Sequence, residues 1–335
     1  LINSLYKVKI MSNILIIKHG SLGDLIQSNG AMQDIKNSFK TSKVLLLTSR
    51  AYLEFMSSCP YIDGVILDKR LPRWNLFYLK DLKKLLEKYE FSHVFDLQNS
   101  NRTKFYKKYL LNKPIWSSSE TSLDDGEKLS EFNEESVLTR MKKQLEKSNV
   151  LIKNTQAINL NWSIKDISRN LKQYTNGDYV LLFPFCSKKH VKKKWPYFSE
   201  LIIRIKAIYK NKYPVLVAPG PNEVDEAKKL NAKIVLEKNQ PIDISFLISL
   251  INSAKYIVSN DTGPAHICSH LNKKGLALFG SHTTATKVNI GNDNFKTLTV
   301  KDLTDLKVDD VIKNIKKNLD FFDIFFYNFI PVKIF

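Results

Sequence analysis

Short apolar runs alternate with amphipathic stretches through the first half of the chain. Each apolar run predicts a strand that is buried on both faces, as in the middle of a parallel sheet. Each amphipathic stretch carries apolar residues three and four positions apart, which is the spacing of one helix face. Strands are predicted over residues 14–17, 44–47, 65–67 and 94–97, and helices over residues 28–39 and 76–89.

The pattern changes in the middle of the chain. Residues 116–135 are rich in Ser, Asp and Glu and predict an exposed loop. A helix is predicted over residues 137–145. Residues 150–177 show no strand and helix alternation, and they predict a connection between two domains.

The alternation restarts at residue 179. Strands are predicted over residues 179–183, 215–218, 234–236, 256–259 and 276–279, and helices over residues 198–209, 224–230, 244–254 and 308–319. Two α/β units in tandem predict two Rossmann-like domains, over residues 11–150 and 177–318. Because such sheets bind ligands beyond the carboxyl ends of their strands, we expect the ligands in a cleft that both domains face.

The composition is that of a globular, reducing-compartment protein. The chain has 335 residues, of which 43% are hydrophobic and 25% charged, so intrinsic disorder is excluded as a general description. Its three cysteines, Cys59, Cys186 and Cys268, lie far apart. Their spacing fits neither a disulfide framework nor a metal site, and a reducing cytosolic compartment fits best.

The net charge of +19 has two interpretations. It favours an anionic partner, namely nucleic acid, a membrane surface or a phosphorylated substrate. It is equally compatible with a lysine-rich coding bias that places lysines on solvated faces. Both interpretations stay open at this point.

The two ends of the chain carry separate expectations. Residues 1–10 lack the pattern of a secretory signal, and Met11 opens the first predicted strand, so we interpret residues 1–10 as an upstream extension. Residues 319–335 are an aromatic tail rich in Phe and Ile but short for a membrane span. This tail either rests on a membrane surface or packs on the body of the protein, and packing is favoured.

The first candidate site is the loop HGSLGD, residues 19–24, directly after the first predicted strand. Gly20 and Gly23 permit a tight turn and close approach of the backbone to a ligand. The spacing matches neither a dinucleotide-binding fingerprint nor a P-loop. Asp24 is a candidate general base. It is also placed to cap the following helix, and the motif alone favours the cap.

The second candidate site is the basic loop SKKHVKKKWP, residues 187–196. It follows the first strand of the second domain, and its five lysines could neutralise a diphosphate. The alternative is a solvated basic loop. Pro196 marks the start of the next helix.

The third candidate site is SNDTGPAH, residues 259–266. Pro264 suits a first helical turn, and the free amides of a helix N-terminus bind anions. His266, one turn further on, could face the same ligand. The alternative is that Asp261 or Thr262 caps the helix over a buried His266. We favour the binding site, because Asp, Thr, Gly and His converge at one strand end.

The fourth candidate site is the loop GPNE, residues 220–223. Glu223 could bind a ribose hydroxyl, as acids do after strands in nucleotide-binding folds. It could equally stabilise a helix N-terminus.

Together these loops resemble glycosyltransferase family 9, the lipopolysaccharide heptosyltransferase family. ILIIKHGSLGD at residues 14–24 is similar to the family's opening, and VSNDTGPAH at residues 258–266 to its donor-site motif. The resemblance covers residues 12–318. It also includes KKWP at residues 193–196, ALFG at residues 277–280, and DLQ at residues 96–98 followed by Arg102.

The resemblance implies a GT-B fold, in which two Rossmann-like domains face each other across a cleft. It implies an inverting, metal-independent sugar transfer without a cofactor, with Asp24 as the catalytic base. The first domain would bind the acceptor and the second the donor. The implied donor-binding residues are Lys193, Asp261, Thr262, Gly263, His266, Glu223 and Ser187, and the implied acceptor-side residues are Gly20, Ser21, Gly23 and Arg102.

The resemblance also implies the partners. The donor would be ADP-heptose or another nucleotide sugar, and the acceptor the anionic, membrane-anchored core of lipopolysaccharide. Such an acceptor gives the +19 charge a reason and implies a cytoplasmic protein, peripheral to the inner face of the cytoplasmic membrane, with no nucleic-acid partner.

Three segments depart from the family pattern. SNGA at residues 28–31 replaces the usual TLPA, Lys274-Gly275 stands where a proline and an apolar residue are common, and Ser281-His282 replaces the usual Pro-Thr. The first and third lie near the expected substrate, so the identity of the sugar stays open. The alternatives are a different nucleotide-sugar donor and glycan acceptor, a non-catalytic basic binding protein, and a nucleic-acid-binding protein.

Overall fold

The computed structural model describes residues 12–210 and 212–327, with side chains up to residue 319 in the last helix. The chain divides into two compact units between Ile158 and Asn159. The extension predicted at residues 1–10 lies outside the described residues. The aromatic tail predicted over residues 319–335 lies largely outside them, since its side chains from residue 320 on are not described.

The first unit contains a five-stranded sheet in the order β3-β2-β1-β4-β5, with every strand pair parallel. This is the order in which Rossmann folds begin. The strands are β1 (Asn13–Ile17), β2 (Lys43–Thr48), β3 (Gly64–Leu67), β4 (Phe91–Asp96) and β5 (Ile115–Ser117). The helices are α1 (Leu22–Gln27), α2 (Asn29–Ser38), α3 (Arg50–Ser57), α4 (Leu76–Glu87), α5 (Asn101–Tyr109), α6 (Leu129–Phe132) and α7 (Val137–Glu146).

The core of the first unit forms between the apolar residues of β1 and the apolar face of α4. Alternate β1 residues, Leu15 and Ile17, belong to one buried cluster with Leu79, Leu82 and Leu86 of α4. These leucines repeat at three- and four-residue intervals, so α4 presents one apolar face to the sheet.

The exposed loop predicted over residues 116–135 is wrong at its start and again at residues 129–132, which form α6 with a buried Phe132. Residues 115–117 form β5, and Trp116 is buried with its indole N–H donating to Leu111 O at 2.8 Å. Ser117 is buried as well, and its hydroxyl accepts a hydrogen bond from Ser148 Oγ at 2.7 Å. Small polar side chains can be buried once their hydroxyls find partners, and composition alone does not reveal this.

The connection predicted over residues 150–177 is packed at its beginning. The carboxylate of Asp34, which is fully buried in α2, accepts hydrogen bonds from the backbone amides of Lys153, Asn154 and Thr155. Gly30 lets the chain approach this closely, because a Cβ there would lie only 2.1 Å from Asn154 O. The connection is therefore anchored to α2 before the second unit starts.

The second unit contains a six-stranded parallel sheet in the order β11-β10-β9-β6-β7-β8. The strands are β6 (Val180–Phe183), β7 (Val215–Val217), β8 (Lys233–Ile234), β9 (Tyr256–Asn260), β10 (Gly275–Phe279) and β11 (Phe295–Thr299). The helices are α8 (Ser168–Leu171), α9 (Phe198–Tyr209), α10 (Val224–Ala227), α11 (Ile244–Ser253), α12 (Gly263–His270) and α13 (Val308–Tyr327).

The fold class predicted from the alternating pattern is confirmed, since each unit is a parallel α/β sheet of Rossmann type. Strand pairing then decides which loops become neighbours. In the first unit β1 pairs with β4, so the loops that follow these strands lie side by side. In the second unit β9 pairs with both β6 and β10, so three loops meet at one edge of the sheet.

Candidate functional site

Three side chains meet at the carboxyl edge of the second sheet, and we call them the Asp261 cluster: Lys193, Asp261 and His282. Asp261 Oδ2 accepts a hydrogen bond from Lys193 Nζ at 2.6 Å and lies 2.9 Å from His282 Nε2. A carboxylate only accepts, so His282 carries its hydrogen on Nε2. The Asp261 side chain is 2% exposed and that of Lys193 25%. In this cluster the Asp261 carboxylate is buried, whereas the Lys193 side chain is partly exposed to solvent.

The Asp261 cluster is fixed in place by the residues next to it. Asn260 Oδ1 accepts a hydrogen bond from the backbone amide of Trp195 at 3.1 Å, and Asn260 Nδ2 donates to Pro184 O at 2.9 Å. The indole N–H of the buried Trp195 donates to Leu306 O at 2.9 Å. Asn260 thus ties the end of the basic loop, and the chain three residues before its start, to β9, which sets Lys193 beside Asp261.

The helix α12 begins directly after Asp261. Thr262 is its N-cap residue, Gly263 and Pro264 form its first turn, and His266 is buried one turn on. Within the described part of the chain, no side chain caps this helix. Its first backbone amides therefore keep their capacity to bind an anion. The capping alternative for Asp261 and Thr262 is not what the structure shows.

Ser187 and Glu223 close their own loops. Ser187 is exposed, and its hydroxyl accepts a hydrogen bond from the amide of Lys189 at 3.4 Å. Glu223 is the N-cap residue of α10, and its Oε2 accepts from the amide of Gly220 at 2.7 Å. Burial raises the pKa of Glu223 even though that hydrogen bond opposes the shift. Ser187 lies in the loop after β6, the strand that pairs with β9, and Glu223 lies in the loop after β7, the strand that pairs with β6.

In the first unit, Asp24 makes the capping contacts that the motif predicts. Its Oδ2 accepts hydrogen bonds from the Ser21 amide at 2.9 Å and from the Ser21 hydroxyl at 3.0 Å. Asp24 is nevertheless only half-buried. Capping and chemistry are compatible here, because the hydrogen bonds from Ser21 also fix the direction of the carboxylate.

Two cations that sequence reasoning did not select act on Asp24. Lys18 is buried and donates from Nζ to Leu97 O at 2.8 Å. Burial lowers the pKa of Lys18, and Asp24 and Asp96 oppose this shift. Burial also lowers the pKa of Arg140, and Asp24 again acts in the opposite direction. Lys18 was within the motif that carried the family resemblance, whereas Arg140 gave no sequence signal.

Gly20 permits the turn that leads to Asp24. Its φ of +123° lies in the region that favours glycine, and a Cβ there would overlap the ring of Tyr52. Gly23 is buried in the first turn of α1. Both glycines therefore serve the geometry of the loop.

Arg102 belongs to a buried network that reaches the same loop. Its Nη1 donates to the hydroxyl of Tyr106 at 3.0 Å, and that hydroxyl donates to Asp68 Oδ2 at 2.8 Å. The same Asp68 oxygen lies 2.8 Å from His19 Nε2. Burial raises the pKa of Asp68, but hydrogen bonds from His19 and Tyr78 outweigh it and lower that pKa to about 2. Arg102 is thus linked to the loop at residues 19–24 through two other side chains.

Lys193 and Asp261 are predicted from separate motifs, and the structure brings them into direct contact. His282, Asp68 and Tyr106 were missed as members of the site. Only His282 had a signal, since it departs from the Pro-Thr pattern of the family that the chain resembles. Asp68 and Tyr106 become visible only when β3 and α5 are placed in three dimensions.

Among residues 12–210 and 212–327, no helix is both long enough and apolar enough to cross a bilayer. In the same residues, no three His, Cys, Asp or Glu side chains gather as a metal ion would need.

Comparison with known proteins gives one family match. The profile of glycosyltransferase family 9 (heptosyltransferase) matches residues 79–307, which is more than half of the chain. No curated protein sequence gives a significant match.

Several solved structures share the fold. A family 9 glycosyltransferase from Veillonella parvula has a TM-score of 0.72 at 16% identity, covering 92% of this chain and 97% of its own. The ADP-heptose lipopolysaccharide heptosyltransferase II of E. coli has a TM-score of 0.69 at 15% identity, covering 93% and 99%. The E. coli heptosyltransferase WaaC with ADP has a TM-score of 0.67 at 16% identity, covering 91% and 99%. At these identities the likeness shows the fold, which is the expected GT-B fold.

Proposed function

The chain belongs to glycosyltransferase family 9 and is a glycosyltransferase, and on that premise we propose that it transfers a heptose or related sugar from an ADP-linked donor to a lipopolysaccharide core acceptor. The observation that carries the proposal is the Asp261 cluster beside the uncapped N-terminus of α12. A cation and open backbone amides at one strand end suit the diphosphate of a nucleotide sugar.

The donor is held through its diphosphate and its sugar. Lys193 and the first amides of α12 stabilise the negative charge that grows on the diphosphate as it leaves. Asp261 and His266 lie at the same strand end and take part in donor binding. The solved WaaC structures contain ADP and ADP-2-deoxy-2-fluoro heptose, and the likeness of fold supports an ADP-linked sugar here.

The transfer is a single displacement in which Asp24 is the general base. Asp24 takes the proton from an acceptor hydroxyl, and the oxygen forms a bond to the anomeric carbon. The bond from that carbon to the diphosphate breaks at the same time, so ADP departs and the configuration inverts. A positioned base contributes about 10²–10⁴-fold to such a step. The hydrogen bonds from Ser21 support this role by fixing the carboxylate.

The acceptor is anionic and anchored in a membrane. The net charge of +19 supports this choice, as do Arg102 and the basic surface of the first unit around it. Such an acceptor would place the protein in the cytoplasm, at the inner face of the cytoplasmic membrane. No cofactor, metal ion or nucleic acid takes part.

A second candidate keeps the reaction and changes the sugar. It is favoured by His282, whose ring contacts Asp261 where the family commonly carries threonine. A different side chain at the donor-binding aspartate could select a different nucleotide sugar.

A panel of nucleotide sugars tests both candidates. The melting temperature should rise most with ADP-heptose, because a ligand that binds only the folded state stabilises it. Incubation with ADP-heptose and a heptose-deficient core acceptor should then release ADP and lengthen the acceptor. A larger shift and turnover with a UDP- or GDP-linked sugar would select the second candidate, and turnover with none of them would contradict both.

A further inference from the structure

Three large apolar side chains stand exposed within four residues of the first unit. Trp74 is 80% exposed, Leu76 72% and Phe77 84%. They lie at the start of α4, in a segment that also exposes Leu71. A patch of contiguous exposed aromatic and aliphatic side chains costs solubility, and on a folded protein it marks an interaction surface.

Cations surround these apolar side chains. Lys69, Arg70, Arg73 and Lys80 are all exposed within the same segment. Residues 69–113 contain twelve Lys and Arg against four Asp and Glu. The patch therefore presents apolar side chains framed by positive charge, and we call residues 69–80 the anchor segment.

The anchor segment is held in its exposed position by α5. Arg102 Nη2 donates to Leu71 O at 2.9 Å, and the guanidinium of Arg73 lies 5.6 Å from the centre of the Phe105 ring. The Asn75 side chain caps α4 by accepting from the amide of Tyr78 at 3.0 Å. These contacts fix the backbone and leave Trp74 and Phe77 pointing away from the core.

An open pocket adjoins the exposed ring of Phe77. It has a volume of about 370 Å³ and is lined mainly by apolar side chains, among them Leu67, Leu71, Leu82 and Leu85. The apolar surface thus continues from the tips of the exposed side chains into the body of the unit.

We propose that the anchor segment docks the protein on an anionic lipid bilayer. Trp and Phe partition into the interface between headgroups and acyl chains. Lys and Arg are attracted to the negative surface of such a leaflet. The inference rests on the proposed function in one respect, namely that a lipid-anchored acceptor gives docking a purpose.

The charges favour a bilayer over two other occupants. A symmetric contact with a second copy would bring like-charged anchor segments together. A nucleic-acid backbone would satisfy the cations but would leave the side chains of Leu76 and Phe77 against phosphate. An anionic bilayer provides acyl chains for the apolar side chains and negative headgroups for the cations.

Vesicle binding of the full-length chain, without donor or acceptor, tests the proposal. The protein should sediment with phosphatidylglycerol vesicles but not with phosphatidylcholine vesicles, and binding should weaken as salt rises. Trp74→Ser with Phe77→Ser should lower the partition coefficient by at least about tenfold, since two large apolar side chains would no longer be buried in the interface. The matched control is Leu151→Ser with Ile203→Ser, two side chains that are 64% and 57% exposed outside the segment, and it should bind like the unchanged protein.

The cations are tested separately. Lys69→Gln with Lys80→Gln should weaken binding to anionic vesicles by about fivefold per charge at low salt, because each such charge contributes about 1 kcal/mol. The matched control is Lys313→Gln with Lys316→Gln, which removes two exposed lysines from α13.

Fluorescence quenching provides a second test, with a variant that leaves the apolar patch nearly unchanged. Vesicles with brominated acyl chains should quench the tryptophan fluorescence of the unchanged protein, since Trp74 would enter the interface. Trp74→Phe should still bind but should lose most of that quenching, because Trp116 and Trp195 are buried and the half-buried Trp162 lies in the second unit, outside the anchor segment.

Several outcomes would overturn the proposal. They are the absence of binding to anionic vesicles, equal binding by the Trp74→Ser/Phe77→Ser variant, and an equal loss in the control. A patch variant that changes only self-association in sedimentation velocity would reassign the surface to contact between copies. Vesicle binding as predicted, without sugar transfer to the lipid-anchored core acceptor from any nucleotide sugar, would contradict the proposed function alone.

Discussion

His282 Nε2 lies 2.9 Å from the Asp261 oxygen that also accepts a hydrogen bond from Lys193. Two donors therefore share one oxygen of a buried carboxylate. The His282 ring is itself oriented by stacking on Phe279, with ring centroids 6.2 Å apart and an angle of 12° between the planes. Because the family commonly has threonine at this position, the contact is a departure of this chain at the proposed donor site.

Replacing His282 by threonine should weaken donor binding. Asp261 would keep Lys193 as its partner but would lose the second donor that orients it. A hydrogen bond to a charged group contributes about 1.5–3 kcal/mol, so we expect the affinity for ADP to fall roughly tenfold or more. Calorimetric titration with ADP measures this change. Ser281→Ala, in the exposed neighbouring residue, is the matched control and should bind ADP normally. Unchanged affinity in His282→Thr would mean that His282 does not orient Asp261.

Removing the charge of Asp261 should have a larger effect on the donor than on the fold. Asp261→Asn keeps the shape of the side chain, but Lys193 loses its anionic partner and its position. We expect ADP-sugar affinity to fall while the far-ultraviolet circular dichroism spectrum stays unchanged, and His266→Ala should act in the same direction. Normal donor affinity in both variants would remove α12 and its flanking aspartate from the donor site.

The sequence was sufficient to predict the strands that carry the site. β1 and β9 are continuous apolar runs, and the motifs directly after them are loops at strand ends in the structure. β11 was not predicted, because its pattern over Phe295–Thr299 is only partly buried and includes Lys296 and Thr297. Half-exposed edge strands lack the apolar run on which the prediction depends.

Contacts between distant side chains could not be predicted in the same way. The meeting of His282 and Asp261 follows from the pairing of β10 with β9, which periodicity does not specify. His19 contacts Asp68, which accepts a hydrogen bond from Tyr106, which in turn accepts one from Arg102. These residues come from three separate parts of the first unit, and periodicity does not show that they meet. Asp24 and Arg102 were predicted from the sequence as candidates. The hydrogen bonds of Ser21 to Asp24 and of Arg102 to Tyr106, which position them, are known only from the structure.

Arg102 should act through the position of the anchor segment as well as through its charge. Its two terminal nitrogens donate to Tyr106 and to Leu71 O, a pair of bonds that lysine cannot reproduce. Arg102→Lys should therefore raise the KM for the acceptor by roughly tenfold, as the loss of about 1.4 kcal/mol predicts, with unchanged ADP affinity. Lys104→Gln, two residues further along α5 and exposed, is the control. Acceptor kinetics of Arg102→Lys equal to those of the unchanged enzyme would show that charge alone matters.

Asp68 should make the stability of the first unit depend on acid pH. Its folded pKa of about 2 lies below the unfolded value of about 3.9, so its ionised form stabilises the folded state above about pH 4. That contribution, about 2–3 kcal/mol, is lost as the pH falls from about 4 towards 2. Asp68→Asn should lower the free energy of unfolding at pH 7 by this amount and flatten the acid limb of the curve. Urea unfolding between pH 7 and about pH 2 measures it, with the exposed Asp81→Asn as control, and parallel curves for Asp68→Asn and the unchanged protein would contradict the account.

The capping contacts of Asp24 predict a separate effect on stability. Asp24→Ala removes the acceptor for the Ser21 amide and hydroxyl, so the free energy of unfolding should fall by about 0.5–2 kcal/mol. Asp24→Asn retains an oxygen at the same place and should melt close to the unchanged protein. Thermal unfolding of the two variants, compared at one pH, measures the difference. Equal melting temperatures for Asp24→Ala and the unchanged protein would show that the capping contacts contribute nothing.

The rate of sugar transfer by Asp24→Asn tests the central claim most directly. The asparagine keeps the size and capping ability of the side chain but cannot take a proton from the acceptor hydroxyl. With saturating ADP-heptose and acceptor, we predict that kcat falls by about 10²–10⁴-fold while ADP affinity and melting temperature stay near those of the unchanged enzyme. Transfer by Asp24→Asn at close to the unchanged rate would show that Asp24 only caps α1 and that another group is the base.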